Sequence, residues 1–537
     1  MKMDLNRLEW PGRHQPVVAL NGMVATSQPL AAQAGLLMLR NGGNAVDAAL
    51  ATVSTLTVVE PGSTSIGGDA FALIWDGSAL HGINGSGRAP TGLTIDEVHR
   101  RGHDAIPDHG WLPVTIPGAP AVWRDVHQRF GKLPFEEVLK PAITYAEKGY
   151  PASPISVWSW RKQVLRAHES LEGPEFAHFM DLYAPGGHSP NIGDIWHNRD
   201  KANTLRRIAE TYAEAFYAGD IAEKIVDFAQ ATDGYITAED MASHRSEWVD
   251  PIGTNYRGYD VWEIPPNGQG IATLGALNIL EGFDLTDLPR NSAESYHLQI
   301  EAMKLAFADA QRYVGDPQHV DIPVAGMISK PYADERRQLI GEMALQPEPG
   351  LPPRSDTVYL CTADGDGMMV SFIQSAYKGF GSHVVAPGTG FSLQNRGHGF
   401  SLDPDHPNAL APGRRPFHTI IPGFLTHEGE AVGPFGVMGG HMQPQGHVQM
   451  VVNTIDYGMD PQTSIEQPRW QWTKDRNVLL ETGTDPEIVE ALRSRGHEIE
   501  LMEDLGGFGR GQIIWKLPSG ALMGGSESRA DGQAVGY

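Results

Sequence analysis

Residues 352–375 read "PPRSDTVYLCTADGDGMMVSFIQS". A proline-rich loop stops at Asp356, and an apolar, strand-like run begins at once on Thr357. Thr357–Ala363 is rich in β-branched and aromatic residues. Asp364-Gly365-Asp366-Gly367 supplies a turn, and "MMVSFIQS" returns as a second strand. The stretch predicts a β-hairpin fed by a flexible segment. A threonine at that junction is either a plain strand residue or a group placed for chemistry.

Working outward, "QPEPGLPPRS" before the hairpin holds four prolines in ten residues and marks a seam at 346–356. Upstream, "PLAAQAGLLMLRNGG" predicts a helix with Pro29 near its start and Gly42 past its end. "NAVDAALATVSTLTVVEPG" predicts a second helix capped by Asn44, with Asp47 three residues on. Two strands follow around Asp76-Gly77. The middle, 118–345, reads as mainly helical, and Asn291 with Glu294 has the spacing of a capping box for its clearest helix. Downstream, "VGPFGVMGG" reads as a strand and "HVQMVVNTIDYG" as the helix after it. Strands and helices interleave on both sides of the seam.

The chain has 537 residues, 41% hydrophobic and 20% charged, which suffices for a large core. Its net charge of −24 argues against a nucleic-acid partner. No window is apolar enough for a membrane span or a signal peptide, and Cys361 is the single cysteine. A cytoplasmic location is the expectation. The 21 histidines include no HExxH and there is no cysteine pair, so no metal site is expected. "SIGGDAF" lacks the lysine of a phosphate loop, and no GxSxG is present. In "GVMGGHMQPQGHVQM" a glycine pair precedes a helix and presents backbone N–H groups suited to an oxyanion.

Thr357 gains a chemical meaning if the bond after Asp356 is broken. Its new α-amine, with a reference pKa of about 8, can act as base for the neighbouring hydroxyl. That chemistry wants a releasable segment before the threonine and a rigid strand after it. Both are present here.

Ten motifs in order resemble the γ-glutamyltransferase family of N-terminal-nucleophile hydrolases. They are "LRNGGNAVDAALA", "SIGGDAF", "NGSGRAP", "EAMKLAFADAQRYVGDP", "DTVYLCTADGDG", "QSAYKGFGS", "RRPFHTIIP", "GVMGG", "VVNTIDYGMDP" and "ESRADGQAVGY". The resemblance implies an αββα sandwich made as a precursor. It further implies cleavage between Asp356 and Thr357 into a large subunit, 1–356, and a small subunit, 357–537, that stay together. It implies Thr357 as nucleophile, Gly439 and Gly440 as the oxyanion hole, Ser375 near the nucleophile's amine, and Arg88 as the holder of the substrate carboxylate. No cofactor is required, and a homodimer is left open.

The chain also departs from the family pattern. Gly399 stands where an acidic residue grips the substrate α-amine, with Arg396 and His398 nearby. His418-Thr419 replaces a serine pair, Tyr377 replaces an asparagine, and Val358 replaces a hydroxyl. The resulting expectation is a cationic pocket in which Arg88, Arg396, His418, Thr419 and Tyr377 meet an anionic amide substrate. The expected activity is a γ-glutamyltransferase-like amide hydrolase, with an oxamate-type or other non-glutamyl amidohydrolase as its alternative. A non-catalytic binding protein is the alternative from another class. Cys361, four residues along the strand, reads as core.

Overall fold

The hairpin forms where the sequence places it. The computed structural model, which describes residues 14–347 and 356–537, pairs the strands Asp356–Asp364 and Met369–Tyr377 antiparallel. Asp364 closes the turn, its Oδ1 accepting the N–H groups of Asp366 and Met368 at 3.0 Å each. Its other oxygen accepts the Ala45 N–H at 2.9 Å, tying the turn to the first residue of a helix. Of the proline-rich seam, residues 348–355 lie outside the described residues.

Both faces of this hairpin are buried. Val358, Leu360, Val370 and Phe372 enter one apolar core, while Tyr359, Cys361 and Ile373 enter another, as the two-residue period of a strand requires. The first sheet runs Gln533–Gly536, Gly22–Thr26, Asp356–Asp364, Met369–Tyr377, Asp69–Trp75, Leu80–Asn84, Glu247–Val249. The second runs Val17–Ala19, Leu522–Ser526, Arg510–Lys516, Glu430–Met438, Gly423–His427, Tyr259–Glu263, Ile252–Tyr256. All neighbours in both sheets are antiparallel. Each sheet therefore contains strands from both before and after residue 356.

Phe71, Leu73, Tyr359, Phe424 and Ile514 fill the space between the sheets. Each such side chain contributes roughly 2 kcal/mol of transfer free energy. Gly436 permits the close approach, since a Cβ there would stand 2.6 Å from the Tyr359 ring. Helices Pro29–Arg40 and Ala45–Val59 cover the outer side of the first sheet. Helices Gly270–Leu280, Ala293–Tyr313 and Met442–Ile455 cover the outer side of the second. The layers are thus helix, sheet, sheet, helix: the expected αββα sandwich.

Local signals held with two corrections. Asn44 and Asp47 form the capping box of Ala45–Val59. At Ala293–Tyr313, however, the N-cap is Ser292 rather than Asn291, because the Ser292 hydroxyl accepts the Ser295 N–H. The mainly helical middle also contributes three short strands to the two seven-stranded sheets, Glu247–Val249, Ile252–Tyr256 and Tyr259–Glu263, which lie at sheet edges or next to them. No described helix is long and apolar enough to cross a membrane.

Cys361 is fully buried, and its thiol donates toward the Tyr359 hydroxyl at 3.1 Å. Burial pushes the thiol far above its ordinary pKa. A thiol reagent should leave the native protein unlabelled and react on unfolding. Cys361→Ala should cost about 1–2 kcal/mol of stability and leave turnover intact, as denaturant melts and a rate assay would show.

Candidate active site

Thr357 is buried at the start of a strand whose register slips there, so that it stands opposite both Ser375 and Ala376. Its Oγ1 donates to Ser375 Oγ at 3.2 Å, and the same Ser375 oxygen accepts the Tyr377 N–H at 2.7 Å. The loop "SIGGDAF" lies directly on the partner strand, Met369–Tyr377: a Cβ on Gly68 would fall 2.3 Å from the Ser375 carbonyl oxygen. That glycine serves packing, not phosphate binding.

From Tyr377 a line of contacts crosses to the other sheet. Arg396 sits over the Tyr377 ring at 4.1 Å. Its Nη1 donates to Thr419 Oγ1 at 2.7 Å. The Thr419 carbonyl accepts from Gln269 Nε2 at 2.6 Å, and that nitrogen also donates to the Gly440 carbonyl at 2.9 Å. Gly439 and Gly440, at φ +126° and +63°, turn the chain from Glu430–Met438 toward the helix Met442–Ile455. Side chains rarely tolerate such angles, so glycine is required there. Thr357 and the glycine pair thus begin and end on inner strands of facing sheets, joined by Ser375, Tyr377, Arg396, Thr419 and Gln269. Sequence reasoning missed Gln269, whose available signal was its place between Gly268 and Gly270 ahead of an apolar helix.

Beside this line opens a cavity of about 1190 Å³, walled by Tyr377, Thr419, Phe417, Phe400, Leu305 and His441, among others. His398 and Gly399 also face it. His398 Nδ1 is committed to the Ile106 carbonyl at 2.6 Å and lies 3.1 Å from Asp108. A Cβ at Gly399 would meet only the Phe417 carbonyl oxygen, at 3.7 Å. The wall's carboxylate, Asp309, is held by Arg336 at 3.0 Å.

Arg396 is the electrostatic centre of the site. It is fully buried, its Nε and Nη2 have no hydrogen-bond partner, and no carboxylate among the described residues pairs with it. Burial draws its pKa down to about 10, which leaves it a cation at neutral pH. A buried charge with two free donors is expensive unless something anionic joins it.

Two expected residues lie elsewhere. Arg88 does not reach the cavity. Its guanidinium donates to Asp316 (3.4 Å), Glu247 (3.2 Å), Gln318 (3.1 Å) and the Gly413 carbonyl (3.0 Å), so its charge is already matched. His418 turns inward, with Nε2 3.1 Å from Asp69 and Nδ1 accepting the Ile420 N–H. Val358 points into the helix-side core.

Among the described residues, His297, Glu301 and His497 could converge on a metal. Glu301 is already paired with the buried Lys304 at 2.7 Å, however, and His297 Nδ1 bonds His497 Nε2 at 2.9 Å. The Glu301 carboxylate is thus committed to Lys304, and its other oxygen accepts the N–H of Leu345 at 2.8 Å, which leaves it unavailable to an ion.

A four-layer sandwich with a threonine at the head of an inner strand, and a glycine turn facing it, has the architecture of the N-terminal-nucleophile hydrolases. The family model described as gamma-glutamyltranspeptidase matches residues 31–537, and the chain belongs to that family. It is 38% identical to the glutathione hydrolase-like YwrD proenzyme of Bacillus subtilis (strain 168), covering 97% of this chain and all of that one. It is 33% identical to the oxamate amidohydrolase proenzyme of Klebsiella pneumoniae subsp. pneumoniae, covering 98% and 100%. Among solved structures, cephalosporin acylase from Bacillus halodurans superposes with TM-score 0.95 and 52% identity over 100% of this chain and 99% of that one.

His418 also makes the fold sensitive to acid. Burial, reinforced by Arg396 and opposed by Asp69, lowers its pKa to about 4. The unfolded chain takes up that proton near the ordinary value of about 6.5, so it binds more protons than the native state between the two. The contribution of His418 is therefore complete above about pH 6.5 and lost as pH falls toward 4, at up to about 1.4 kcal/mol per pH unit. Melting temperature should drop over that window, and His418→Asn should flatten the drop when melts are compared at several pH values.

Proposed function

We propose that the chain is an autoprocessing threonine amidohydrolase for acyl amides whose acyl group ends in a carboxylate. Cleavage of the Asp356–Thr357 bond gives Thr357 a free α-amine. That amine takes the hydroxyl proton as Oγ1 attacks the amide carbonyl. Backbone N–H groups at Gly439 and Gly440 hold the oxyanion, and Ser375 orients the hydroxyl. The amine then hands its proton to the leaving nitrogen, the C–N bond breaks, and an acyl ester remains on Thr357. Water resolves the ester to acid, and an acceptor amine would resolve it to a new amide.

The observation that carries the substrate class is Arg396, buried, unpaired and in contact with two residues of the cavity wall. A guanidinium with free Nε and Nη2 suits a carboxylate. Among the described residues the wall offers no unpaired carboxylate for the α-ammonium of a γ-glutamyl group, since Asp309 is bound to Arg336 and Gly399 has no side chain. A cavity of this volume also admits a bulky leaving amine. The name of one relative, an oxamate amidohydrolase, is in keeping with a carboxylate-bearing acyl group lacking that amine. A second reading, glutathione or another γ-glutamyl amide, draws on the glutathione hydrolase-like relative.

Purified protein should consist of two fragments, the smaller beginning Thr-Val-Tyr-Leu, whereas Thr357→Ala should remain one 58.4 kDa chain. Intact mass and N-terminal sequencing decide this, and an uncut parent protein would overturn the reading. Glutaryl p-nitroanilide, which is the γ-glutamyl compound without its α-amine, should be turned over faster than γ-glutamyl p-nitroanilide. Arg396→Met should raise KM for the glutaryl compound at least tenfold, and Arg88→Met should not. The opposite substrate order would favour the second reading.

A further inference from the structure

His441 follows the glycine turn directly and is the N-cap residue of the helix Met442–Ile455. It faces the cavity, yet it is only 8% exposed. Its ring lies nearly parallel to that of Phe417, with centroids 6.0 Å apart and planes 19° apart, and the Phe307 ring stands 6.2 Å away. Nδ1 is buried with no hydrogen-bond partner. Three other buried histidines are committed, whereas His383, also without a hydrogen-bond partner, does not line the cavity. His418 has Asp69, His447 has Glu263, and His297 has His497. His441 has no such commitment.

Three influences keep this imidazole uncharged: burial first, then the cations Arg396 and Lys378, with the positive end of its own helix acting in the same sense. Its pKa falls to about 3, so protonation plays no part in the neutral range. A neutral imidazole carries one N–H and one lone pair. An orphaned buried N–H is costlier than an orphaned lone pair, so the proton sits on Nε2 and the bare lone pair on Nδ1. The ring is then a fixed, permanently available donor on the cavity wall, one residue beyond Gly440.

From this geometry we propose that His441 is a catalytic residue. Its Nε2–H donates to the oxygen of the amide carbonyl under attack by Thr357, and so adds a side-chain donor to the two backbone donors of the glycine turn. The inference rests on the acyl-transfer reading above. Charge accumulates on that oxygen as the tetrahedral adduct forms, so the bond strengthens in the transition state and acts on kcat more than on KM. The imidazole gives up no proton in the step.

Two variants test it, each assayed with glutaryl p-nitroanilide. His441→Phe keeps a flat ring against Phe417 and removes the donor. It should lower kcat about 100-fold with KM within about threefold of the parent. His441→Gln restores a neutral N–H donor and should recover at least a tenfold part of that loss. The parent's pH–rate profile should keep its shape in the glutamine variant. A phenylalanine variant within threefold of the parent in kcat would overturn the assignment, as would a glutamine variant no better than phenylalanine. If the phenylalanine variant folds but stays uncut while the glutamine variant matures and turns over, the donor serves self-cleavage as well, in support. If neither variant matures, His441 is structural and the assignment fails. Failure of the threonine reading itself shows separately, as an uncut parent or an active Thr357→Ala.

Discussion

A strand buried on both sides can hold no polar side chain cheaply, and the strand that begins with Thr357 is buried on both sides. Val358 and Leu360 belong to one core, Tyr359 and Cys361 to another. Polar groups within it are paired, Thr362 with the Ala45 carbonyl and Tyr359 with Ser371, and at its ends Thr357 meets Ser375 and Asp364 closes the turn. The facing strand Glu430–Met438 obeys the same rule and delivers its glycine turn at its own end. Two apolar sheets thus leave polar margins, and chemistry collects at the margin where the two ends meet.

Much of this was legible in the chain. The break from prolines to β-branched residues at Thr357, the Asp-Gly-Asp-Gly turn, the cap at Asn44 and the glycines ahead of a helix are local signals, and local rules act on them. The αββα arrangement rested on ten motifs in order, which no single periodicity could supply. Asn291 lost its place as cap to Ser292, an error of one residue of the kind helix ends invite.

The pocket was less legible, for a reason of distance. Arg88 and Arg396 both sit in short glycine-bearing motifs and look equally suited to an anion. What separates them is that Asp316 and Glu247, 228 and 159 residues from Arg88, fold back to pair with it, while no carboxylate among the described residues pairs with Arg396. Likewise His418 looked like a pocket residue until Asp69, 349 residues away, claimed it. Gln269 matters only because Thr419 and Gly440 arrive beside it from other segments. Charge compensation is a tertiary property, so residue type alone could nominate candidates but could not choose among them.

The mixing of early and late strands within both sheets reaches beyond the site. Gly22–Thr26 is wedged between Gln533–Gly536 and Asp356–Asp364, and the second sheet has Val17–Ala19 at one end and Tyr259–Glu263 further in. Two polypeptides produced by a cut before Thr357 would be interlaced in both ladders, and neither could leave without dismantling seven-stranded sheets. The backbone's continuity is needed once, while the chain is threading itself, and becomes dispensable afterwards. Unfolding such a nicked molecule would erase that threading. Recovery would then be a second-order encounter between two strangers, and its longevity in service would be governed by the rate of its first unfolding.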